Sequence, residues 1–191
     1  MAKIVILSGN PTKTSRLDTI LGVVEKQLRE ANLEIEWIRV RDLPAEDLLH
    51  ARFDSEAIIR ANALIEQADG VVIATPVYKA SYTGILKAYL DLLPQKGLNG
   101  KLVLPLAIGG TIAHLLAIDY ALGPLLAALG VRHVLAGAFV QDTQVKKNED
   151  GTGEIEAEAA RRLQESTEQF VHELYWHVKK KQSNQEEQIV K

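Results

Sequence analysis

Short β-branched runs alternate along the chain with longer segments in which apolar residues recur every three or four positions, the pattern of a parallel sheet covered by helices on both faces. Five runs read as strands: Lys3 to Leu7 (KIVIL), Glu34 to Val40 (EIEWIRV), Gly70 to Thr75 (GVVIAT), Lys101 to Ile108 (KLVLPLAI) and His133 to Val140 (HVLAGAFV). Three are nearly continuously apolar, as strands buried on both faces are. The Glu34 to Val40 run instead alternates and carries charges, which marks an edge strand. Helical periodicity occupies about Ser15 to Ala31, Ser55 to Gln67, Thr83 to Leu93, Ile112 to Leu129 and Ile155 to Lys179. Each crossover is long enough for a right-handed βαβ unit. The expected architecture is an α/β doubly wound, five-stranded parallel sheet of order 2-1-3-4-5, with its ligand crevice at the carboxyl ends of strands one and three.

Composition narrows the chemistry. At 191 residues, with 47% apolar and 25% charged positions, the chain suits one domain over residues 1–179 with a packed core. The last residues, 180–191, form a polar stretch expected to be a disordered tail. A formal net charge of -3 gives no basic field for phosphate backbones, so nucleic acid is not an expected partner. No apolar run is long enough to cross a bilayer, and the N-terminal MAKIVILSGN lacks the form of a signal peptide, so a cytoplasmic location is expected. The chain has no cysteine, which removes disulfides, thiolate metal sites and thiol nucleophiles; redox chemistry here must come from a bound cofactor.

Three strand ends carry candidate binding chemistry. After strand one comes Ser8-Gly9-Asn10-Pro11-Thr12-Lys13-Thr14-Ser15-Arg16, a turn dense in hydroxyls that opens a helix. Free N–H groups at that helix start, the hydroxyls and Arg16 can surround a phosphate; equally, Ser15 can serve only as an N-cap. The turn lacks the Lys-Ser/Thr ending of a Walker A loop and the spaced glycines of a dinucleotide fingerprint. After strand three, Thr75 to Gly84 (TPVYKASYTG) offers two tyrosines and exposed backbone to a flat aromatic ring, or else the tyrosines anchor the loop. After strand four, Gly109-Gly110-Thr111 lets a ligand approach the backbone, and His114 follows as either a polar contact or a structural histidine. The scattered acids Asp91, Asp119 and Asp142 read as structural or solvated, with no spacing that points to a metal.

Together, SGNPTKTSRL, ARFDS, ADGVVIATPVYKASYTGILKAYLDLLP and GGTIAHLLAIDYALGPLLAALG resemble the NADPH-dependent FMN reductases of the flavodoxin-like superfamily, and within them the reductases of alkanesulfonate assimilation. The resemblance runs to about Lys179. It implies a flavodoxin-like fold, FMN and NADPH as ligands, a homotetramer, and delivery of reduced flavin to a separate monooxygenase. Carried onto this chain, the phosphate falls on Asn10, Thr14, Ser15 and Arg16, the ring on Pro76, Val77, Tyr78 and Lys79, with Gly109, Gly110 and Thr111 on the other side. The family often has an Arg two residues after a Gly-Ser pair. Here Asn10 follows Gly9 and Thr12 takes the Arg position, which implies either a weaker affinity for the phosphate or one shifted onto Lys13 or Arg16.

A hydride passed between two stacked rings needs alignment rather than a proton-transfer pair, so no catalytic side chain is expected. Two other activities stay open: a reductase of quinones or azo dyes that keeps FMN as a prosthetic group, and an electron carrier that does not use NADPH.

The Ile112 to Leu129 segment places Leu115, Ile118, Leu122, Leu125, Leu126 and Leu129 on one helical face, with Tyr120 nearly opposite. Pro124 cannot donate to the carbonyl of Tyr120, which predicts a kink or π-bulge there. The outward tyrosine asks for a partner, for which another copy of the subunit suffices. The resemblance implies the same: a π-helical turn at the tetramer interface, close to the flavin. The alternative is an ordinary exposed tyrosine beside a Gly-Pro.

Overall fold

A computed structural model describes residues 1–148 and 153–189, with only the backbone described at 182 and 184–189. In chain order the elements are β1 (Lys3–Ser8), α1 (Arg16–Glu30), β2 (Glu34–Arg39), α2 (Ala45–Leu49), α3 (Glu56–Gln67), β3 (Gly70–Pro76), α4 (Gly84–Leu90), β4 (Leu102–Gly109), α5 (Gly123–Ala128), β5 (His133–Val134), β6 (Ala138–Gln141), β7 (Val145–Lys147), β8 (Gly153–Ile155) and α6 (Ala157–Ile189). The main sheet runs β2-β1-β3-β4-β5, all neighbours parallel, and β6 also pairs with β4. This is the doubly wound flavodoxin-like order expected from the pattern of strands.

Alternation along the central strands feeds two cores. Ile4, Ile6, Val72, Ala74, Leu104 and Leu106 face α1 and α6, where Leu17, Leu21, Leu163 and Phe170 meet them. Val5, Leu7, Val71, Ile73 and Val103 face the other way, onto Ile58 and Ile65 of α3, Leu86 and Tyr89 of α4 and Leu126 of α5. A strand buried on both faces has no polar face to alternate with, which is why these runs are continuously apolar.

The fifth strand is not continuous. It is broken between Val134 and Ala138, where Leu135 donates to the carbonyl of Val103 and Gly137 lies so close to Pro105 that a Cβ would stand 2.4 Å from its carbonyl oxygen. Pro105 itself brings no N–H to the ladder. The segment expected as one helix from Ile112 is also in pieces: a 3-10 turn at Ile112–His114, a π-helical turn at Ile118–Leu122, and α5. A second, two-stranded antiparallel sheet, β7 with β8, was not anticipated. The backbone of α6 continues past Lys179 to Ile189. Among the described residues no helix is long and apolar enough to cross a membrane.

Candidate active site

The turn after β1 is held by its own side chains. Asn10 is buried, and its amide nitrogen donates to Ser15 Oγ (2.7 Å), to the Thr12 carbonyl (2.9 Å) and to Asp18 (3.2 Å), while its oxygen accepts from the Thr12 N–H and hydroxyl. Ser15 caps α1, and Asp18 returns the bond to the Ser15 N–H at 2.9 Å, a complete capping box that contributes about 1 kcal/mol. Arg41, arriving from the end of β2, donates to the Thr12 carbonyl at 2.6 Å and lies 3.6 Å from Asp18. A loop tied down at so many points presents the first N–H groups of α1 in a fixed direction.

The loop after β3 is bound to the first one through Thr83. Its hydroxyl, buried beside the start of α4, donates to the Gly9 carbonyl at 2.6 Å and accepts from Leu86 N–H, and its own N–H reaches Thr75 Oγ1 at 3.1 Å. Gly9 permits this closeness: a Cβ there would lie 2.7 Å from Leu86 Cβ. Beyond Val77, whose N–H continues the ladder to Ile108, Tyr78 and Ser81 exchange both backbone bonds across a turn in which Lys79 and Ala80 both have positive φ (50° and 62°). Both central residues of a type I′ hairpin turn need that conformation, and it costs a side-chain-bearing residue about 1 to 2 kcal/mol.

These loops close on a cleft of about 290 Å³ at the carboxyl ends of β1, β3 and β4, the switch point of the sheet. Asn10, Thr14, Ser15, Arg16, Pro76, Val77, Tyr78 and Gly109 line it, as the sequence predicts. Lys79 does not; with Val77, Tyr78, Ala80 and His114 it borders an adjoining hollow of about 750 Å³. Gly110 and Thr111 also lie off the cleft wall, Thr111 accepting from Ala113 N–H at the start of the 3-10 turn. Lys13 is exposed and is not among the cleft's lining residues, whereas Arg16 is.

Thr12, Leu17, Ile108, Asp142 and Lys147 complete the lining. Asp142, expected to be structural or solvated, thus borders the cleft. The two tyrosines divide: Tyr82 packs against the core, whereas Tyr78 is 51% exposed at the mouth. Of the resembling motifs, ARFDS is remote from the cleft lining; Arg52 and Ser55 both bind Asp47 and fix the entry to α3.

The arrangement fits a phosphate-bearing aromatic ligand. At one end stand hydroxyls, a helix N-terminus, Arg16 and Lys147. At the other stand the Pro76-Val77-Tyr78 backbone and Gly109, where a Cβ would press on Phe139 and Val77 at 3.1 and 3.3 Å. Residues 2–146 match the family model for the NADPH-dependent FMN reductases. The chain belongs to that family. An FMN reductase (NADPH) of Pseudomonas putida is 47% identical over 169 residues, covering 87% of this chain and 85% of its own length. Another, of Escherichia coli K12, is 48% identical over 143 residues, 75% of each chain. The crystal structure of the NADH:FMN oxidoreductase EmoB, in its apo form, superimposes with a TM-score of 0.78 at 37% identity over 91% of this chain and 90% of that one.

This FMN reductase family member carries a 3-10 turn and a π-helical turn after the Gly-Gly segment, with His114 on the hollow beside the cleft. That segment leaves Ile112 (54%), Leu115 (43%), Leu116 (54%) and Tyr120 (77%) exposed, whereas Ile118, Leu122, Leu126 and Leu129 are buried. Leu115 thus departs from the face predicted for it. A 3-10 start and a π turn advance the chain by different angles per residue than an α-helix, so a face counted at one period loses its phase. The Gly123 N–H reaches back five residues to the Ile118 carbonyl, immediately before Pro124.

Proposed function

We propose that this protein takes FMN into the Asn10-to-Lys147 cleft, reduces it with NADPH and releases it to a separate flavin-dependent monooxygenase, the arrangement expected of sulfonate sulfur assimilation. The observation that carries the reading is the meeting, in one cleft, of a hydroxyl-rich loop held by its own hydrogen bonds with the Pro76-Val77-Tyr78 backbone. FMN supplies the redox chemistry by accepting a hydride equivalent. The chain's part is to bind and align. Thr14, Ser15, Arg16 and the first N–H groups of α1 hold the phosphate, while Asn10 keeps the loop in shape rather than spending its amide on the ligand. Pro76, Val77 and Tyr78 hold the ring edge, and Gly109 gives it room. The hollow beside Tyr78, with Lys79 and His114 on its rim, is where a dinucleotide donor can reach the ring's open face.

The same reading makes the protein a cytoplasmic homotetramer. Its support is the exposed apolar strip of Ile112, Leu115, Leu116 and Tyr120, which a second copy of the same strip can cover.

The test is steady-state NADPH oxidation by flavin-stripped protein as free FMN is raised. Turnover that keeps rising well beyond one FMN per subunit is expected. Saturation at one equivalent with a requirement for added quinone or azo dye makes FMN a prosthetic group instead, and failure to oxidise NADPH leaves a carrier.

A further inference from the structure

The phosphate end of the cleft is completed from a place far along the chain. β7 and β8 pair in the register Val145↔Ile155, Lys146↔Glu154, Lys147↔Gly153. Val145 is buried in the main core and Ile155 packs against it. Alternation along a strand then puts Lys147 on the inward side with Val145, and Lys146 outward. Opposite Lys147 stands Gly153, which has no side chain to compete for the space. Arg16 clamps this hairpin to the start of α1, its Nε donating to the Val145 carbonyl at 2.9 Å. Lys147 Nζ reaches Thr14 Oγ1 at 3.0 Å and the Thr14 carbonyl at 3.5 Å, and Lys147, Thr14, Ser15 and Arg16 border the same cleft.

Charge makes the contact significant. A monoester phosphate carries about −1.5 to −2 at neutral pH. Asp142 lines the same cleft, and Asp18 stands at the third residue of α1. Within the turn itself, Thr12 is uncharged and Lys13 is exposed and off the lining, so Arg16 is the one cation that the turn contributes to the lining.

We propose that Lys147 is a direct ligand of the FMN phosphate, and that the β7–β8 hairpin supplies the positive charge which the β1 turn lacks at Thr12. The inference rests on the FMN-binding function proposed above. It makes the phosphate site a joint product of two segments some 130 residues apart, clamped by Arg16.

The experiment compares FMN with riboflavin, the same ring system without the phosphate, by titrating flavin fluorescence against the full chain. Lys147→Ala is expected to weaken FMN about tenfold, the loss of one charge-assisted bond, and to leave riboflavin unchanged. It also lessens the dependence of FMN binding on salt. Lys146→Ala, the same charge removed from the outward face, leaves both flavins as they were. Adding Thr12→Arg to Lys147→Ala recovers most of the FMN affinity. FMN binding within twofold of the parent in Lys147→Ala overturns the assignment, as does an equal loss for both flavins, which would mean a loosened cleft rather than a lost ligand. A parent chain that binds neither flavin brings down the function itself along with the inference.

Discussion

The turn that leaves β1 lines the cleft and the segment that leaves β4 borders the adjoining hollow through His114, and the two are built on opposite terms. The first turns its polar groups inward: Asn10, Ser15, Asp18 and Thr83 bind one another or the backbone, so its shape is settled within the protomer. The second turns apolar groups outward, with Ile112, Leu115, Leu116 and Tyr120 exposed and the backbone passing from 3-10 to π winding before it becomes regular. A loop closed on itself suits an anion that must be met by donors already in place. A strip of exposed side chains suits a surface that is finished only when something covers it. The binding loop is thus closed within one chain, whereas the segment after β4 leaves its apolar side chains open to solvent.

The largest effect expected from breaking this contrast lies at its tightest point. Gly9→Ala sets a methyl group 2.7 Å from Leu86 Cβ and 3.1 Å from Thr83 Oγ1, atoms near the backbone of α4 that cannot swing aside. Pushing α4 away loosens the Thr83 bond that joins the two loops. A loss of about 2 kcal/mol in unfolding free energy is expected, measured by urea denaturation, together with weaker FMN binding. Gly110→Ala is the matching change in the second segment. Its Cβ meets nothing nearer than Asp142 Oδ2 at 3.8 Å, so stability stays within about 0.5 kcal/mol. Equal losses from the two substitutions would show that the first loop is no tighter than the second.

Tyr120→Ala probes the other side of the contrast. The side chain is 77% exposed and leaves the protomer core untouched, so the protomer's own stability changes by about 0.5 kcal/mol or less. An aromatic anchor in an interface is worth about 2 kcal/mol or more, so the assembly constant should fall by about thirtyfold and light scattering at low micromolar protein should show smaller species. An oligomer unchanged in size removes Tyr120 from the interface.

How far each region can be read from sequence follows from how local its physics is. Strand order is legible because central strands are apolar on both faces, whereas β2, at the edge, interleaves Glu34, Glu36 and Arg39 with its apolar residues. Helix starts are legible because Ser15, Ser55 and Thr83 stand just before them. Eight of the eleven predicted binding positions meet in the cleft because a switch point collects the strand ends whatever the loops contain. The π turn is signalled by Pro124, a local steric fact. What escapes is set at long range. Three-residue strands such as β7 and β8 have no periodicity to detect, and Val145 to Lys147 is placed by a bond from Arg16 at the other end of the chain. Asp142 consequently reads as structural or solvated, and Lys147 carries no local signal. Leu115 misleads in another way, because a single helical period was carried across a segment with three kinds of winding.

The smallest expected effect concerns the Tyr78 hairpin, the part of the cleft wall that resembles neither loop. Its backbone bonds are complete, as in the phosphate turn, but Lys79 and Ala80 hold left-handed conformations that favour glycine. Ala80→Gly removes a steric cost of about 1 to 2 kcal/mol and adds unfolded-state freedom of about 0.5 to 1 kcal/mol, so a net gain of about 0.5 kcal/mol is expected in denaturation. Ala80 is exposed and outside the cleft lining, so riboflavin affinity should stay near the parent value. If stability rises while affinity falls, the strain is holding Tyr78 in place for the ring, and the hairpin joins the phosphate turn as a pre-set part of the site. If affinity holds, the wall tolerates motion at its tip and only the first loop is rigid by construction.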